Sequence, residues 1–170
     1  MINVVLYNPE IPHNTGNIMR TCVATNVRLH LIEPLGFSLD EKSVRRSGAS
    51  YVNKTNYSIY SNWEDFVKKN KGKYYFSTRY GSHLPNDYDF SNTNDNIYLI
   101  FGAESSGIPK RILANHLENC IRLPMTKDVR SLNLSNVVAI MVYEVLRQQN
   151  YNDLYFEEPE ELKGKDYLLL

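Results

Sequence analysis

Short apolar runs alternate along the chain with segments whose apolar residues recur every three or four positions. The short runs predict strands over residues 2–7, 29–32, 57–60, 74–78, 97–101 and 121–123. The helical spacing predicts helices over residues 14–26, 62–69, 109–116 and 133–149, with a short basic helix between residues 38 and 46. Residues 81–96 are polar and rich in turn formers, which predicts a surface loop. The alternation is typical of an α/β fold with a mostly parallel sheet flanked by helices.

Composition changes near the end of the chain. After Asn150 the sequence becomes rich in glutamate and aromatic residues, so we predict a single domain over residues 1–151 and an acidic, aromatic C-terminal tail over 152–170. The longest apolar run, residues 137–143, is far short of the roughly 20 residues that a membrane span needs. The N-terminus also lacks the pattern of a signal peptide. We therefore expect a cytoplasmic protein without a membrane partner.

The two cysteines, Cys22 and Cys120, are too few and too distant in sequence for a metal site. Both lie among apolar residues, which favours buried thiols in a reducing compartment. The sequence therefore predicts no metal.

The net charge of zero conceals an uneven distribution. Residues 1–80 hold 11 Lys and Arg against 6 Asp and Glu, whereas residues 81–170 hold 8 against 13. Such asymmetry is a hint of a face that binds a polyanion. A solvated surface on which the charges average out after folding is the alternative.

Three segments are rich in Gly, Ser and Asn at points where an apolar run gives way to a helical pattern. They are residues 14–20, 101–109 and 123–135. Turns from strand to helix are where α/β proteins bind ligands, although caps and tight turns use the same residue types. One cap would explain one polar residue of Arg130-Ser131-Leu132-Asn133-Leu134-Ser135, but not three. Together the segments indicate a composite site, and hence an enzyme.

The order and spacing of these segments resemble the three motifs of the SpoU-type members of the SPOUT superfamily of RNA methyltransferases. The matching patterns are Asn-Xaa-Gly-Asn-Ile-Xaa-Arg at 14–20, Phe-Gly-Xaa-Glu-Xaa-Xaa-Gly-Xaa-Pro at 101–109 and Arg-Ser-Leu-Asn-Leu-Ser at 130–135. The similarity extends to about Tyr151. The opening Tyr7-Asn8-Pro9-Glu10-Ile11-Pro12 and the lack of an N-terminal RNA-binding extension resemble the minimal TrmL (YibK-like) group.

The resemblance implies transfer of a methyl group from S-adenosylmethionine to the ribose 2′-OH of the tRNA wobble nucleotide, C34 or a modified U34, in the anticodon stem-loop. It also implies a C-terminal deep trefoil knot and a homodimer formed through helix 133–149 and the helix that carries Arg20. Two alternatives stay open. One is a 2′-O-methyltransferase for another tRNA or rRNA position, and the other is a non-catalytic RNA-binding factor.

By motif match, the resemblance places Arg20 at the reacting hydroxyl with Asn14 beside it. A guanidinium has a pKa above about 12, so we favour Arg20 orienting the hydroxyl and stabilising the developing alkoxide over Arg20 acting as a base. The expected cofactor-binding residues are Ser77, Thr78, Gly102, Glu104, Gly107, Leu123, Ser131 and Asn133. The basic half of the chain supplies the expected RNA-binding residues, which are Lys42, Arg45, Arg46 and Arg79.

Overall fold

A computed structural model describes residues 1–39, 51 and 53–169 of the chain. Its six described strands are β1 (Ile2–Tyr7), β2 (Arg28–Ile32), β3 (Tyr57–Tyr60), β4 (Lys73–Ser77), β5 (Ile97–Phe101) and β6 (Cys120–Ile121). The described α-helices are α1 (Pro12–Ala24), α2 (Trp63–Lys69), α3 (Lys110–Leu113) and α4 (Leu134–Gln148). The basic helix expected between residues 38 and 46 falls almost wholly outside the described residues.

The described strands form one sheet in the order β3-β2-β1-β5-β4-β6, and each of their pairings is parallel. This confirms the α/β fold with a parallel sheet. The chain runs from β1 outward through β2 to β3, then returns to place β5 on the other side of β1. That reversal makes the crevice beyond the carboxyl ends of β1 and β5 the point where such sheets bind ligands.

Helices cover both faces of the sheet. Successive strand residues point to opposite faces, so Val4 and Leu6 pack with α1 and α4, while Val5 packs with α2 and α3. On the first face α4 contributes Val138, Met141, Val142, Val145 and Leu146. Burial on both faces explains why the strands read as almost continuous apolar runs rather than as alternating patterns.

A buried polar network crosses the second face. His30 on β2 lies between the Asn3 side chain on β1 (Nε2 to Oδ1, 3.1 Å) and the Tyr60 hydroxyl on β3 (Nδ1 to Oη, 2.9 Å). The Asn3 amide nitrogen donates to the Ile97 carbonyl (3.2 Å), so its oxygen is an acceptor and His30 carries its proton on Nε2. Burial is the main cause that lowers the pKa of His30 to about 4, with the charge of Arg28 adding to it. The imidazole is therefore neutral at physiological pH.

Several expected boundaries differ from the structure. The helix expected from Pro109 to His116 is only the single turn Lys110–Leu113, with Pro109 as its N-cap, and a 3₁₀ turn follows at Leu117–Asn119. The chain must turn back there because Cys120 pairs with Phe76 at the sheet edge. The strand expected over residues 121–123 is also shorter, and it starts one residue earlier, as Cys120–Ile121.

The polar segment 81–96 is not purely a surface loop. It contains a 3₁₀ turn, Pro85–Asp87, and it buries Phe90 against the core face that α4 covers. Two glutamines, Gln148 at the end of α4 and its C-cap Gln149, bind the Phe90 backbone. The Phe90 N–H donates to Gln148 Oε1 (2.8 Å), and the Phe90 carbonyl accepts from Gln149 Nε2 (2.9 Å). Leu84, Tyr88 and Phe90, scattered in a polar stretch, were too weak a pattern to predict this.

Candidate active site

A cavity of about 720 Å³ lies at the carboxyl edge of the sheet, in the crevice that the strand order creates. Its walls come from the segments that follow β1, β4, β5 and β6. Parallel strands end at the same edge, so segments about ninety residues apart in sequence meet there. The volume is within the range of about 300–1,000 Å³ typical of small-molecule sites.

The cavity brings together most of the residues selected from the sequence. All eight expected cofactor-binding residues line it: Ser77, Thr78, Gly102, Glu104, Gly107, Leu123, Ser131 and Asn133. Asn14 and Arg79 also line it. Within the described part of the chain, the Ser77 and Ser131 hydroxyls make no hydrogen bond, so both are available to a ligand.

The Glu104 carboxylate is occupied by the two residues that precede α1 and by Asn14 in its first turn. Its Oε2 accepts from Glu10 N (2.8 Å), and its Oε1 accepts from Ile11 N (3.3 Å) and Asn14 Nδ2 (3.0 Å). Helix α1 begins at Pro12, two residues before the expected start, and its N-cap Ile11 has no side-chain hydrogen bond of its own. An acidic group near a helix N-terminus satisfies free N–H groups and suits the helix dipole. Glu104 thus supplies from the β5 loop the acceptor that the local sequence lacks.

A reciprocal pair closes the same junction. The Glu10 carboxylate accepts from Ser105 N (2.8 Å) and Ser105 Oγ (2.7 Å), so each loop holds the other through a carboxylate. These bonds, with the side-chain bond the larger cause, lower the pKa of Glu10. The loop after β1 and the loop after β5 are therefore tied together beside the cavity.

Asn14 continues this network to the third motif. Its Oδ1 accepts from Asn133 Nδ2 (3.0 Å), while Asn133 Oδ1 accepts from Ser135 N (2.9 Å) and Ser135 Oγ (2.7 Å). Asn133 is thus the N-cap of α4 and also a link to α1. The chain Glu104–Asn14–Asn133 connects all three motifs through side chains, although Asn14 itself is buried.

Two glycines shape the β5 loop. A Cβ on Gly102 would lie 2.1 Å from the Gly107 carbonyl carbon, so the chain's own backbone excludes any side chain there. Gly107 has φ of +70°, a left-handed conformation that favours glycine. The loop closes on itself through Gly107 N donating to Ala103 O (2.8 Å). The need for glycine at 102 therefore comes from the fold itself.

Arg20 is not brought to the cavity of its own chain. It is exposed on α1, its guanidinium lies 5.4 Å from the Tyr51 ring centroid, and it is not among the lining residues. Six residues of helix place it about 9 Å along the axis from Asn14 and about 120° around it. Within the described chain, Arg20 therefore lies outside the cavity that Asn14 lines.

The charge at the cavity favours an anionic ligand on its rim. The lining residues include two arginines, Arg79 and Arg130, whereas Glu104 is engaged by three donors. Arg79 is exposed, and its carbonyl accepts from the Arg122 guanidinium. Lys42, Arg45 and Arg46 lie outside the described residues.

Sequence reasoning missed several lining residues. Apolar side chains form part of the wall, namely Ile11, Met125, Leu132, Leu134 and Val137. Tyr80 also lines the cavity, and nothing in the sequence distinguished it from the 12 other tyrosines. Arg130 opens the third motif, so its position was a usable signal.

The described residues contain no group of three or more His, Cys, Asp or Glu side chains placed to hold a metal ion. None of their helices is both long and apolar enough to span a membrane.

Comparison with known proteins identifies the family. Residues 1–143 match the SpoU rRNA methylase family. The chain belongs to this family. A protein of Bacillus subtilis strain 168, provisionally named tRNA (cytidine(34)-2′-O)-methyltransferase, is 51% identical over 90% of this chain and 96% of its own length. The tRNA (cytidine(34)-2′-O)-methyltransferase of Saccharophagus degradans is 42% identical over 89% and 97%. The family resemblance of the three motifs and the methyltransferase class are thereby confirmed.

Solved structures of SpoU-type enzymes share the fold. One from a study of 2′-OH methylation of C/U34 on tRNA superposes with a TM-score of 0.82 at 34% identity, covering 88% of this chain and 97% of that one. An S-adenosylmethionine-bound rRNA methyltransferase from Sinorhizobium meliloti has a TM-score of 0.76 at 25% identity, covering 86% of this chain and 56% of that one.

Proposed function

We propose that this SpoU-family protein transfers the methyl group of S-adenosylmethionine to the ribose 2′-OH of the wobble nucleotide, C34 or a modified U34, in cytoplasmic tRNA. The observation that carries the proposal is the single cavity at which all three motifs meet. The wobble specificity is supported by relatives of nearly equal length, such as the Saccharophagus degradans enzyme, which are named for that reaction.

The residues at the cavity fit S-adenosylmethionine. Leu123, Leu132 and Val137 provide an apolar surface for the adenine, and the Ser77 and Ser131 hydroxyls are available for its polar groups. The cofactor supplies an electrophilic methyl group on a sulfonium. The protein's own contribution is to hold that group and the ribose in line, and placement of this kind can supply a large part of the barrier reduction.

The chemistry requires an acceptor oxygen and a released proton. The ribose O2′ forms the new bond to the methyl carbon as the carbon–sulfur bond breaks, and the hydroxyl proton leaves to solvent or an adjacent phosphate. Arg20 orients the hydroxyl and stabilises the negative charge that develops on O2′. Asn14 is held in place by Glu104 and Asn133 and fixes the geometry beside the reacting group.

We further propose that the enzyme is a homodimer in which Arg20 serves the cavity of the second copy. Arg20 points away from its own cavity, and α4 exposes large apolar side chains on one face, with Ile140 45% and Tyr143 49% exposed. Pairing α1 and α4 between copies would cover this face and carry Arg20 across. The chain is also proposed to form the deep trefoil knot of its family, with the segment before α4 threaded near the β5 loop.

Whether Arg20 of one copy acts at the cavity of the other can be tested by mixing variants. Arg20→Ala and Ser131→Arg, which fills the cavity, are each expected to be inactive alone. If Arg20 acts across the dimer, co-refolded mixtures regain activity, because one site per heterodimer has an intact cavity and an intact arginine. Inactive mixtures, or a monomer by light scattering, would contradict the arrangement. The double variant with Ile140→Asp and Tyr143→Asp, in an otherwise wild-type chain, is expected to be a monomer where the wild type is a dimer.

The reaction itself is tested by transfer of labelled methyl from S-adenosylmethionine to total tRNA, followed by nucleoside analysis. A 2′-O-methylated nucleoside at position 34 that is lost in Arg20→Ala is the expected result. Methylation at another position would refute the substrate. Binding of the cofactor with no transfer to tRNA or rRNA would instead favour a non-catalytic RNA-binding factor.

A further inference from the structure

The rim of the cavity carries one strongly exposed aromatic side chain. Tyr80 is 74% exposed although it lines the cavity, and it lies three residues beyond Ser77, the last residue of β4. A tyrosine at a cavity rim offers a ligand both an apolar ring and a polar hydroxyl. A ligand larger than the cavity would contact this ring first.

The segment that carries Tyr80 is fixed by its backbone. Thr78 N donates to Ile121 O (2.9 Å), Gly81 N donates to Thr78 O (3.2 Å), and Tyr80 N donates to Thr78 Oγ1 (3.3 Å). Gly81 packs so closely on β6 that a Cβ there would lie 2.6 Å from Cys120 O. The turn is therefore preorganised, and a ligand that meets Tyr80 need not order the loop first.

Arg79 covers part of the ring. Its guanidinium lies 4.8 Å from the Tyr80 ring centroid, the geometry of a cation–π contact. The carbonyl of Arg79 is in turn held by the Arg122 guanidinium. Tyr80 nevertheless stays 74% exposed, so much of the residue remains accessible to a ligand. Two positive charges stand beside it.

We propose that Tyr80, backed by Arg79, is the stacking platform for a base of the anticodon loop, next to the nucleotide whose ribose enters the cavity. This inference rests on the proposed function. Unstacked bases of single-stranded loops are bound on aromatic and guanidinium planes, and every base offers a π-face. The adjacent cations suit the phosphates that flank such a base. Tyr80 is thus a substrate-positioning residue that acts on the RNA and leaves the cofactor unaffected.

Steady-state kinetics with an anticodon stem-loop separate the two substrates. Tyr80→Ala is expected to raise KM for RNA about tenfold or more, with KM for S-adenosylmethionine and the melting temperature unchanged. Tyr80→Phe and Tyr80→Trp keep an aromatic face and should stay near wild type, whereas Tyr80→Leu, apolar but not aromatic, should resemble alanine. Tyr155→Ala is the matched control, because Tyr155 is 87% exposed and far along the chain from the cavity segments.

Fluorescence locates the stacked base and does not depend on turnover. Stem-loops with 2-aminopurine at position 33 or 35, the two neighbours of the methylated nucleotide, should be quenched on binding at one of these positions, and Tyr80→Ala should abolish that quenching. The proposal is overturned if Tyr80→Ala raises KM for the cofactor instead, if leucine serves as well as phenylalanine, or if quenching is unchanged. Quenching that needs Tyr80 without methylation at position 34 would support the platform while refuting the proposed reaction.

Discussion

Replacing Glu104 by alanine removes the acceptor that holds the start of α1. The carboxylate accepts three hydrogen bonds, from Glu10 N, Ile11 N and Asn14 Nδ2. In buried sites, bonds to a charged acceptor are worth about 1.5–3 kcal/mol each. Water replaces the acceptor at the two solvent-exposed bonds, so each of these contributes only about 0.2–0.5 kcal/mol, whereas the part-buried bond from Asn14 contributes about 1.5–2 kcal/mol. The expected loss is about 2–3 kcal/mol in the free energy of unfolding.

The assay is thermal unfolding followed by circular dichroism. For a domain of this size, about 1 kcal/mol shifts the melting temperature by about 2–4 °C, so Glu104→Ala should lower it by roughly 5–10 °C. Glu104→Gln keeps one oxygen for Ile11 N and Asn14 Nδ2 but turns an amide towards Glu10 N, so it should fall between alanine and wild type. Ser106→Ala is the matched control, because Ser106 lies in the same loop and its side chain is exposed.

Activity provides the second readout. Because Glu104 also orients Asn14, Glu104→Ala and Glu104→Gln should both lower kcat more than they raise KM for the cofactor. If Glu104→Ala melts with wild type and instead weakens cofactor binding alone, Glu104 is a cofactor ligand and the capping argument is wrong. An unchanged kcat would separately refute the link from Glu104 through Asn14 to the reacting group.

Three further predictions follow from other parts of the structure. Burial lowers the pKa of His30 to about 4, so between the unfolded pKa near 6.5 and pH 4 the unfolded state binds more protons than the folded state. The free energy of unfolding should therefore fall by about 3 kcal/mol as the pH drops through that window. In His30→Gln the denaturant midpoint should depend less on pH over the same window. Burial raises the pKa of the Cys22 thiol to about 12, so Cys22 should resist a disulfide reagent at pH 8 until denaturant unfolds the chain, and rapid native-state labelling would contradict this. Gly102→Ala should abolish cofactor binding in calorimetry, because the added Cβ would meet the Gly107 backbone. Gly107→Asn should retain cofactor binding, because asparagine tolerates the positive φ at that position. Equal effects of the two substitutions would refute the steric argument.

The local pattern of the sequence was enough for the layered fold. Apolar runs marked β1, β2 and β5 closely because strands buried on both faces need apolar side chains throughout. The long helix α4 was predicted to within a residue at each end, since its apolar positions recur over four turns and Asn133 caps it. Motif resemblance then selected eight cofactor-binding residues that all line one cavity.

Other features depended on contacts between distant segments. Helix α1 starts at Pro12, a residue type favoured at the first helical position. The N–H groups of Glu10 and Ile11 just before it bond to a carboxylate more than ninety residues away, which no local pattern encodes. Phe90 is buried in the core face that α4 covers, where Gln148 and the C-cap residue Gln149 bind its backbone. The strand order that opens the crevice and the exposure of Tyr80 on the rim were likewise decided by packing. Local propensity acts over a few residues, whereas a site assembled from four strand ends exists only once the sheet has brought those ends together.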